Sequence, residues 1–244
     1  MSVIISRQYY DIISQSYEIV RRERERYLSS IERAIVDELS PFRDLNILDI
    51  GTGDAARLRT ILKHLSTNRV VAIDESEAQL ARAREILPHV EFIQSKAESY
   101  VPERGCFDAV FCLWNVLGHI PTLRGALKAL RTAHNALCDG GLVFVDVNNR
   151  YNVHTYGLRN AAKNVLKDIR ECVYRNGEFL TSRPGMHGGK NGIFTPVHIF
   201  NPYETRRLFR AAGFSVIKER TVCYDTGKTR WLPFLGQKYY VLQK

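Results

Sequence analysis

Residues 46–56 read Asn-Ile-Leu-Asp-Ile-Gly-Thr-Gly-Asp-Ala-Ala, an apolar run that ends in an acidic residue and a glycine-rich turn. This pattern is typical of a buried strand followed by a tight loop and a helix, because glycine allows a sharp turn and a close approach to a ligand. Asp74 ends the next apolar run. A carboxylate at that position can accept hydrogen bonds from ribose hydroxyls. The stretch therefore predicts a site for a ribose-containing ligand.

Short apolar runs alternate with amphipathic segments along most of the chain. The predicted strands cover residues 46–50, 69–73, 90–94, 107–113, 142–147, 214–219 and 239–242. Strands buried on both faces read as continuous apolar runs, and their alternation with helices indicates a parallel sheet. We therefore predict a Rossmann-like, doubly wound α/β fold with a mostly parallel seven-stranded sheet, an antiparallel last strand and a small insertion after the fifth strand.

The amino-acid composition bears on the protein's binding partners and on its cellular compartment. The formal net charge of +9 can mark a nucleic-acid partner or an acidic substrate. The densest basic run, residues 21–26, alternates in sign, which is typical of a solvated helix face. Five scattered cysteines without metal or redox spacing indicate reduced thiols and a cytoplasmic protein. We expect no signal peptide, no membrane span and no metal.

The glycine turn alone leaves two ligand classes open, since it also satisfies the relaxed G-x-G-x-x-A pattern of dinucleotide sites. The acidic residue ahead of the turn, Asp49, separates them. A carboxylate beside a pyrophosphate is repulsive, but it suits a ligand with a cationic amino group and a sulfonium. The residues therefore favour a methionine-derived nucleoside. An NAD(P)-binding dehydrogenase or a non-catalytic binding module stays as the alternative.

These features together resemble the class I S-adenosylmethionine-dependent methyltransferases. The segments that carry the resemblance are 48–53, 71–76, 96–98 ahead of 107–110, 137–142 and 211–214. The third glycine of the family's first motif is replaced by Ala55, and Lys96 stands where the family often has an acid. The resemblance implies S-adenosylmethionine as cofactor and S-adenosylhomocysteine as product. The cofactor-binding residues that it implies are Tyr17, Asp49, Gly51, Gly53, Asp74, Glu75, Ala97, Glu98 and Leu113.

The length of 244 residues fits one methyltransferase domain over 1–244. Its expected parts are a helical cap at 6–39, a cofactor-binding core at 45–147, an insertion or lid at 151–196, and a closing helix and strands at 200–243. Within the insertion we expect a helix at 158–169 and a hairpin around Asn176-Gly177. Asn201-Pro202 is a predicted start of the closing helix.

The segment after the fourth predicted strand, residues 113–120, is similar to that of small-molecule N-methyltransferases, as is the N-terminal pair Tyr9-Tyr10. Deprotonating an alkylamine at pH 7 costs roughly 4–5 kcal/mol, and histidine is suited to accept that proton. We therefore expect His119 to be the base and Tyr10 its partner. An acceptor with an acidic N–H or a carboxylic acid would leave His119 only an orienting role. The expected substrate residues are Tyr9, Asn115, Asn148, Asn149, Tyr151 and His198.

The residues and the resemblance together favour methyl transfer to a small molecule of biosynthetic or secondary metabolism, at nitrogen in preference to oxygen. The positive charge motivates one alternative, a methyltransferase that acts on RNA, such as transfer RNA. A nucleic-acid partner is not favoured over a small-molecule acceptor, and the sequence does not indicate an oligomeric state.

Overall fold

The computed structural model describes residues 2–3, 5–13, 17–170, 178–181 and 193–244. The helices are α1 (Ser6–Ile13), α2 (Tyr17–Glu23), α3 (Glu25–Leu39), α4 (Ala56–Leu62), α5 (Glu77–Ile86), α6 (Val116–His119), α7 (Leu123–Ala136), α8 (Val153–Tyr156), α9 (Leu158–Arg170) and α10 (Pro202–Ala211). The strands are β1 (Ser2–Val3), β2 (Leu45–Ile50), β3 (Thr67–Asp74), β4 (Glu91–Gln94), β5 (Phe107–Cys112), β6 (Leu137–Val147), β7 (Glu178–Thr181), β8 (Ile193–His198), β9 (Ser215–Val222), β10 (Thr229–Arg230) and β11 (Gln237–Gln243).

One twisted sheet carries all seven predicted strands. Its order is β10-β9-β11-β6-β5-β2-β3-β4, so the short β10 is the only strand of this sheet that the sequence did not predict. The pairs among β2 to β6 are parallel, and β11 runs antiparallel to both β6 and β9. The predicted Rossmann-like fold with a mostly parallel sheet and an antiparallel last strand is confirmed.

Two apolar layers cover the faces of this sheet. Alternate strand residues point to opposite faces, so Ile47 lies in the layer with α3 and α4, while Leu48 lies in the layer with α7 and α10. Both side chains are fully buried. This two-sided burial is the reason why the central strands read as continuous apolar runs rather than as alternating ones.

Several predicted boundaries were wrong. In the helical cap predicted at 6–39, the described residues form three separate helices, α1, α2 and α3. The strand predicted at 142–147 begins at Leu137, because Leu137 already pairs with Phe107. The predicted hairpin turn at Asn176-Gly177 lies outside the described residues. The described pairing there joins β7 to β8 in a second, three-stranded sheet, in which β1 also pairs with β8.

The order of the strands in the sheet indicates where a ligand binds. β2 lies between β3 and β5, so the chain leaves β2 towards one side and later returns to its other side. Ligands in such folds bind at the carboxyl ends of the strands, at the point where the order reverses. The loops that follow Ile50, Asp74 and Cys112 meet at this edge. Along the described helices, none is both long and apolar enough to cross a bilayer.

Helix α7 begins at a hydrogen-bonded cap. The side chain of Thr122 accepts a hydrogen bond from the backbone N–H of Gly125 at 3.0 Å. Thr122→Ala removes this acceptor, and a lost cap costs about 1 kcal/mol. We expect the free energy of unfolding in urea to fall by that amount. Thr122→Ser keeps the hydroxyl and is expected to recover most of it; equal losses in both variants would contradict a capping role.

Candidate active site

The glycine turn after β2 requires glycine for two different reasons. Gly51 and Gly53 both have positive φ angles, +74° and +57°, a conformation that L-residues with a Cβ rarely adopt. In addition, a Cβ on Gly51 would lie 2.5 Å from a methyl carbon of Val116. The turn can therefore pack directly against α6, the short helix after β5.

Asp74 is held in place by backbone donors. One carboxylate oxygen accepts a hydrogen bond from the N–H of Gly53 and the other from the N–H of Ser76, both at 2.9 Å. Burial raises the pKa of Asp74. Each carboxylate oxygen can accept a second hydrogen bond, so the group can still bind a ligand's hydroxyls. The fixed carboxylate joins the glycine turn to the start of α5.

Asp49, which precedes the glycine turn in the sequence, lies beneath this turn. Its carboxyl is buried, and burial raises its pKa to about 6. It lines a smaller cavity of roughly 400 Å³ together with Thr52, Asp54 and Arg57. Asp49 is therefore placed beneath the loop rather than on the wall of the main cleft.

The N-terminal helix α1 reaches across the edge of the sheet. The hydroxyl of Tyr10 lies 3.0 Å from Nε2 of His119, although 109 residues separate the two along the chain. The rings meet edge to face, with centroids 5.2 Å apart. Asp11 accepts a hydrogen bond from the hydroxyl of Ser76. α1 thus contacts both the loop after β5 and the loop after β3.

The surroundings of His119 favour the neutral form of its imidazole. Burial lowers its pKa to about 4. Its second ring nitrogen, Nδ1, is buried and has no hydrogen-bond partner among the described residues. Both features agree with an imidazole that is shielded from water, since burial disfavours the charged imidazolium.

The chain makes a left-handed turn after β5, and this turn leads α6 to the cleft. Trp114 and Asn115 both have positive φ angles, 59° and 62°. Asp146, at the end of β6, accepts hydrogen bonds from the N–H of Trp114 and, at 2.7 Å, from the hydroxyl of Tyr27. Arg57 lies 3.8 Å from the same carboxylate. These contacts offset the strain that non-glycine residues carry in this conformation.

The loops enclose one large cleft of roughly 770 Å³, part of which is open to solvent. Nine of the predicted site residues line it: Tyr10, Gly51, Gly53, Asp74, Glu75, Ala97, Glu98, Leu113 and His119. They come from α1 and from the loops that follow β2, β3, β4 and β5. The structure therefore brings most of the expected cofactor residues and both expected catalytic residues to one place.

Other predicted residues lie elsewhere. The N–H of Asn148 donates to the side chain of Asn115, and the side-chain amide of Asn149 donates to the carbonyls of Pro233 and Gly236. Asn115 and Asn149 are buried, and these contacts hold loops together rather than line the cleft. Tyr9 is also buried, with its ring 5.4 Å from that of Tyr10.

Tyr151 and His198 line two other cavities. The Tyr151 hydroxyl donates to Asp168 at 2.8 Å beside α9, away from the main cleft. His198 lies 2.9 Å from Glu204 and lines a pocket of roughly 590 Å³ that shares Ile120 and Pro121 with the main cleft. The side chain of Tyr17 lies outside the described residues.

Sequence reasoning did not find several residues of the cleft wall. These are Ser6, Arg7, Ser76, Gln79, Ser95, Trp114, Val116, Ile120 and Pro121; Lys96 had been noted only as a departure from the family pattern. Ser76 carried a usable signal, because a serine directly before a helix is a typical N-cap, and its hydroxyl accepts from the N–H of Gln79. Ser6 and Arg7 carried none, since their position depends on how α1 packs. In the described chain, no cluster of metal-binding side chains occurs.

Comparison with known proteins identifies the domain. The sequence profile of a methyltransferase domain matches residues 47–141. Among curated proteins, 82 residues are 30% identical to a trans-aconitate 2-methyltransferase of Acidovorax ebreus. That alignment covers 34% of this chain and 31% of the relative, so the chain matches about a third of the relative's length.

Solved structures match over much more of the chain. A methyltransferase of Thermotoga maritima described as a possible histamine N-methyltransferase has a TM-score of 0.63 at 18% identity, with 98% of both chains covered. An amino pentose methyltransferase of Micromonospora echinaspora, with S-adenosylmethionine bound, has a TM-score of 0.60 at 18% identity and covers 93% of this chain and 95% of its own. At this identity the likeness shows the fold. The chain therefore has the class I S-adenosylmethionine-dependent methyltransferase fold, and residues 47–141 match the profile of a methyltransferase domain.

The environment of His119 leads to a test by NMR. Because its pKa is lowered to about 4, the ring is expected to stay neutral from pH 8 to pH 5. In unfolded chains histidine binds a proton near pH 6.5. The unfolded state therefore binds more protons between pH 6.5 and about 4, and His119 lowers the stability of the fold as the pH falls through that window. A titration midpoint near 6.5 for the His119 ring protons would contradict this environment.

Proposed function

We propose that this protein transfers a methyl group from S-adenosylmethionine to a small-molecule acceptor. The observation that carries the proposal is the cleft itself. It combines the glycine turn, the fixed carboxylate of Asp74 and the Tyr10–His119 pair at the carboxyl edge of a methyltransferase fold. The domain match at residues 47–141 supports the same cofactor.

The cleft residues fit the parts of this cofactor. Asp74 can accept hydrogen bonds from the ribose hydroxyls, and Ala97 and Leu113 offer apolar contacts to an adenine ring. Glu75 and Glu98 add negative charge to the same wall, which favours a ligand with cationic groups. When bound, the cofactor supplies an electrophilic methyl carbon on a sulfonium. The residues of the chain bind and orient it, and positioning of two reactants can contribute about 7–11 kcal/mol.

The geometry disfavours the dinucleotide alternative. In dinucleotide-binding folds the pyrophosphate lies at the N-terminus of the helix after the glycine turn. Here that helix is α4, and the side chain of Asp54 accepts a hydrogen bond from the N–H of Ala56 at 3.1 Å. A carboxylate thus occupies the position that a phosphate would need, and Asp49 lies close behind it.

A small acceptor is the proposed substrate class, since the cleft of roughly 770 Å³ has to hold both the cofactor and the acceptor. The sequence resemblance favours nitrogen as the methylated atom, and one structural relative, the possible histamine N-methyltransferase, carries a name that fits. The trans-aconitate enzyme is a relative with a carboxylic acid substrate. The names of the relatives therefore do not decide which atom of the acceptor is methylated.

The principal test is calorimetry with S-adenosylmethionine, S-adenosylhomocysteine and NAD. We expect binding of the first two and none of NAD. Asp74→Ala is expected to weaken S-adenosylhomocysteine binding by roughly 10–100-fold, because hydrogen bonds to a charged group are lost. Asp139→Ala, at a fully exposed carboxylate, is the matched control and is expected to leave binding unchanged. Binding of NAD alone would contradict the proposal.

The alternative of an RNA substrate is tested by measuring methylation at different salt concentrations. Proteins that neutralise several phosphates lose affinity by roughly 10³–10⁵-fold between about 50 and 200 mM salt. If the acceptor is a small molecule, methylation by this protein is expected to change little across that range despite the net charge of +9. A steep loss of activity, together with RNA that co-purifies, would favour the RNA substrate instead.

A further inference from the structure

The hydrogen bond between Tyr10 and His119 can form with either ring tautomer, and the donor strengths of the two groups decide between them. A phenol is the better donor of the two groups and a neutral imidazole nitrogen the better acceptor. The Tyr10 hydroxyl therefore donates to Nε2 of His119, over 3.0 Å. A neutral imidazole carries one proton, so that proton is on Nδ1. The ring is left with an N–H group on its other side.

Among the described residues, this Nδ1–H group has no acceptor. Nδ1 is buried and the described residues supply it with no hydrogen-bond partner. Buried polar groups in proteins are nearly always paired, and the exceptions point to a ligand or to a functional group. His119 lines the main cleft beside Tyr10, Ile120 and Pro121. An acceptor atom of a bound ligand in this part of the cleft would complete the hydrogen bond.

The same arrangement is unfavourable for His119 as a base that takes a proton from an ammonium group. A histidine base is normally stabilised in its protonated form by a carboxylate on the opposite ring nitrogen. Here a hydroxyl faces one nitrogen and, within the described part of the chain, no side chain is bonded to the other. Burial correspondingly lowers the pKa of His119 to about 4. The carboxylates of the cleft come from other strand ends. Asp74 ends β3, and Glu75 and Glu98 follow β3 and β4, whereas His119 follows β5.

We propose that the acceptor presents a carboxylate, which the Nδ1–H group of His119 binds and orients, so that the product is a methyl ester. This inference rests on the proposed function. A carboxylate is already ionised at neutral pH and needs no base. One carboxylate oxygen forms a bond to the methyl carbon while the carbon–sulfur bond breaks, and the electron pair of that bond stays on sulfur. The sulfonium becomes a neutral thioether, the carboxylate becomes an ester, and no proton moves.

The test uses the full chain and S-adenosylmethionine labelled in the methyl group. One panel of acceptors contains di- and tricarboxylic acids, including the aconitate isomers, and a second contains primary alkylamines; a deproteinised metabolite extract is assayed beside them. Products are then treated with mild alkali, which releases volatile labelled methanol from methyl esters but leaves N-methyl and ether products intact. We expect alkali-labile label from the acid panel or the extract and none from the amines.

Label that is stable to alkali would overturn the proposal, and so would the absence of alkali-labile label from both the acid panel and the extract. Calorimetry separates this failure from failure of the proposed function. If S-adenosylhomocysteine binds and the label is transferred to an amine, the proposed methyltransferase function stands, but the proposed carboxylate acceptor is wrong. If no S-adenosyl compound binds, both are wrong.

The role of His119 is tested by two substitutions. His119→Ala removes the donor and is expected to raise the KM of the acid acceptor by roughly 10–100-fold without weakening S-adenosylhomocysteine binding. His119→Asn places an amide N–H close to the position of Nδ1 and is expected to recover at least part of that loss. A base would give a different pattern, in which both variants lose kcat and asparagine does not rescue. His89→Ala, at an exposed position, is the control and is expected to behave as the wild type.

Discussion

The site depends first on the two backbone hydrogen bonds that hold the carboxylate of Asp74. They come from Gly53, in the turn after β2, and from Ser76, at the start of α5. A single side chain thus fixes the relative position of two loops that belong to neighbouring strands. Because two backbone N–H groups hold the half-buried carboxylate in place, a ligand's ribose would meet an acceptor that needs little reorganisation, which is how preorganised sites gain affinity.

The second half of the site is assembled over a long sequence distance. Tyr10 comes from α1 and His119 from the loop after β5, and Asp146 supports that loop from the end of β6. Asp11 ties α1 back to Ser76, so one helix contacts both the loop after β3 and the loop after β5.

The sequence predicted the strands, the mostly parallel sheet and nine residues of the cleft wall, because each depends on local patterns. Buried parallel strands give apolar runs, and the turn after Ile50 needs glycine at Gly51 for steric reasons. Tertiary packing decided the rest. Asn115 and Asn149 have the polarity of pocket residues, yet they hold loops together. The strand β6 begins early because it pairs with β5, and no local pattern records that pairing.

The chemistry of His119 also depends on packing. As a residue type it is a base near neutral pH, and the resemblance to N-methyltransferases suggested that role. Burial lowers its pKa, and among the described residues no carboxylate is bonded to its ring, which favours a neutral donor instead. The most direct test of the whole account is a crystal structure with S-adenosylhomocysteine bound. It is expected to place both ribose hydroxyls on Asp74 and the sulfur atom beside Tyr10 and His119. An adenosyl group bound away from Asp74, or no bound ligand at saturating concentration, would contradict it.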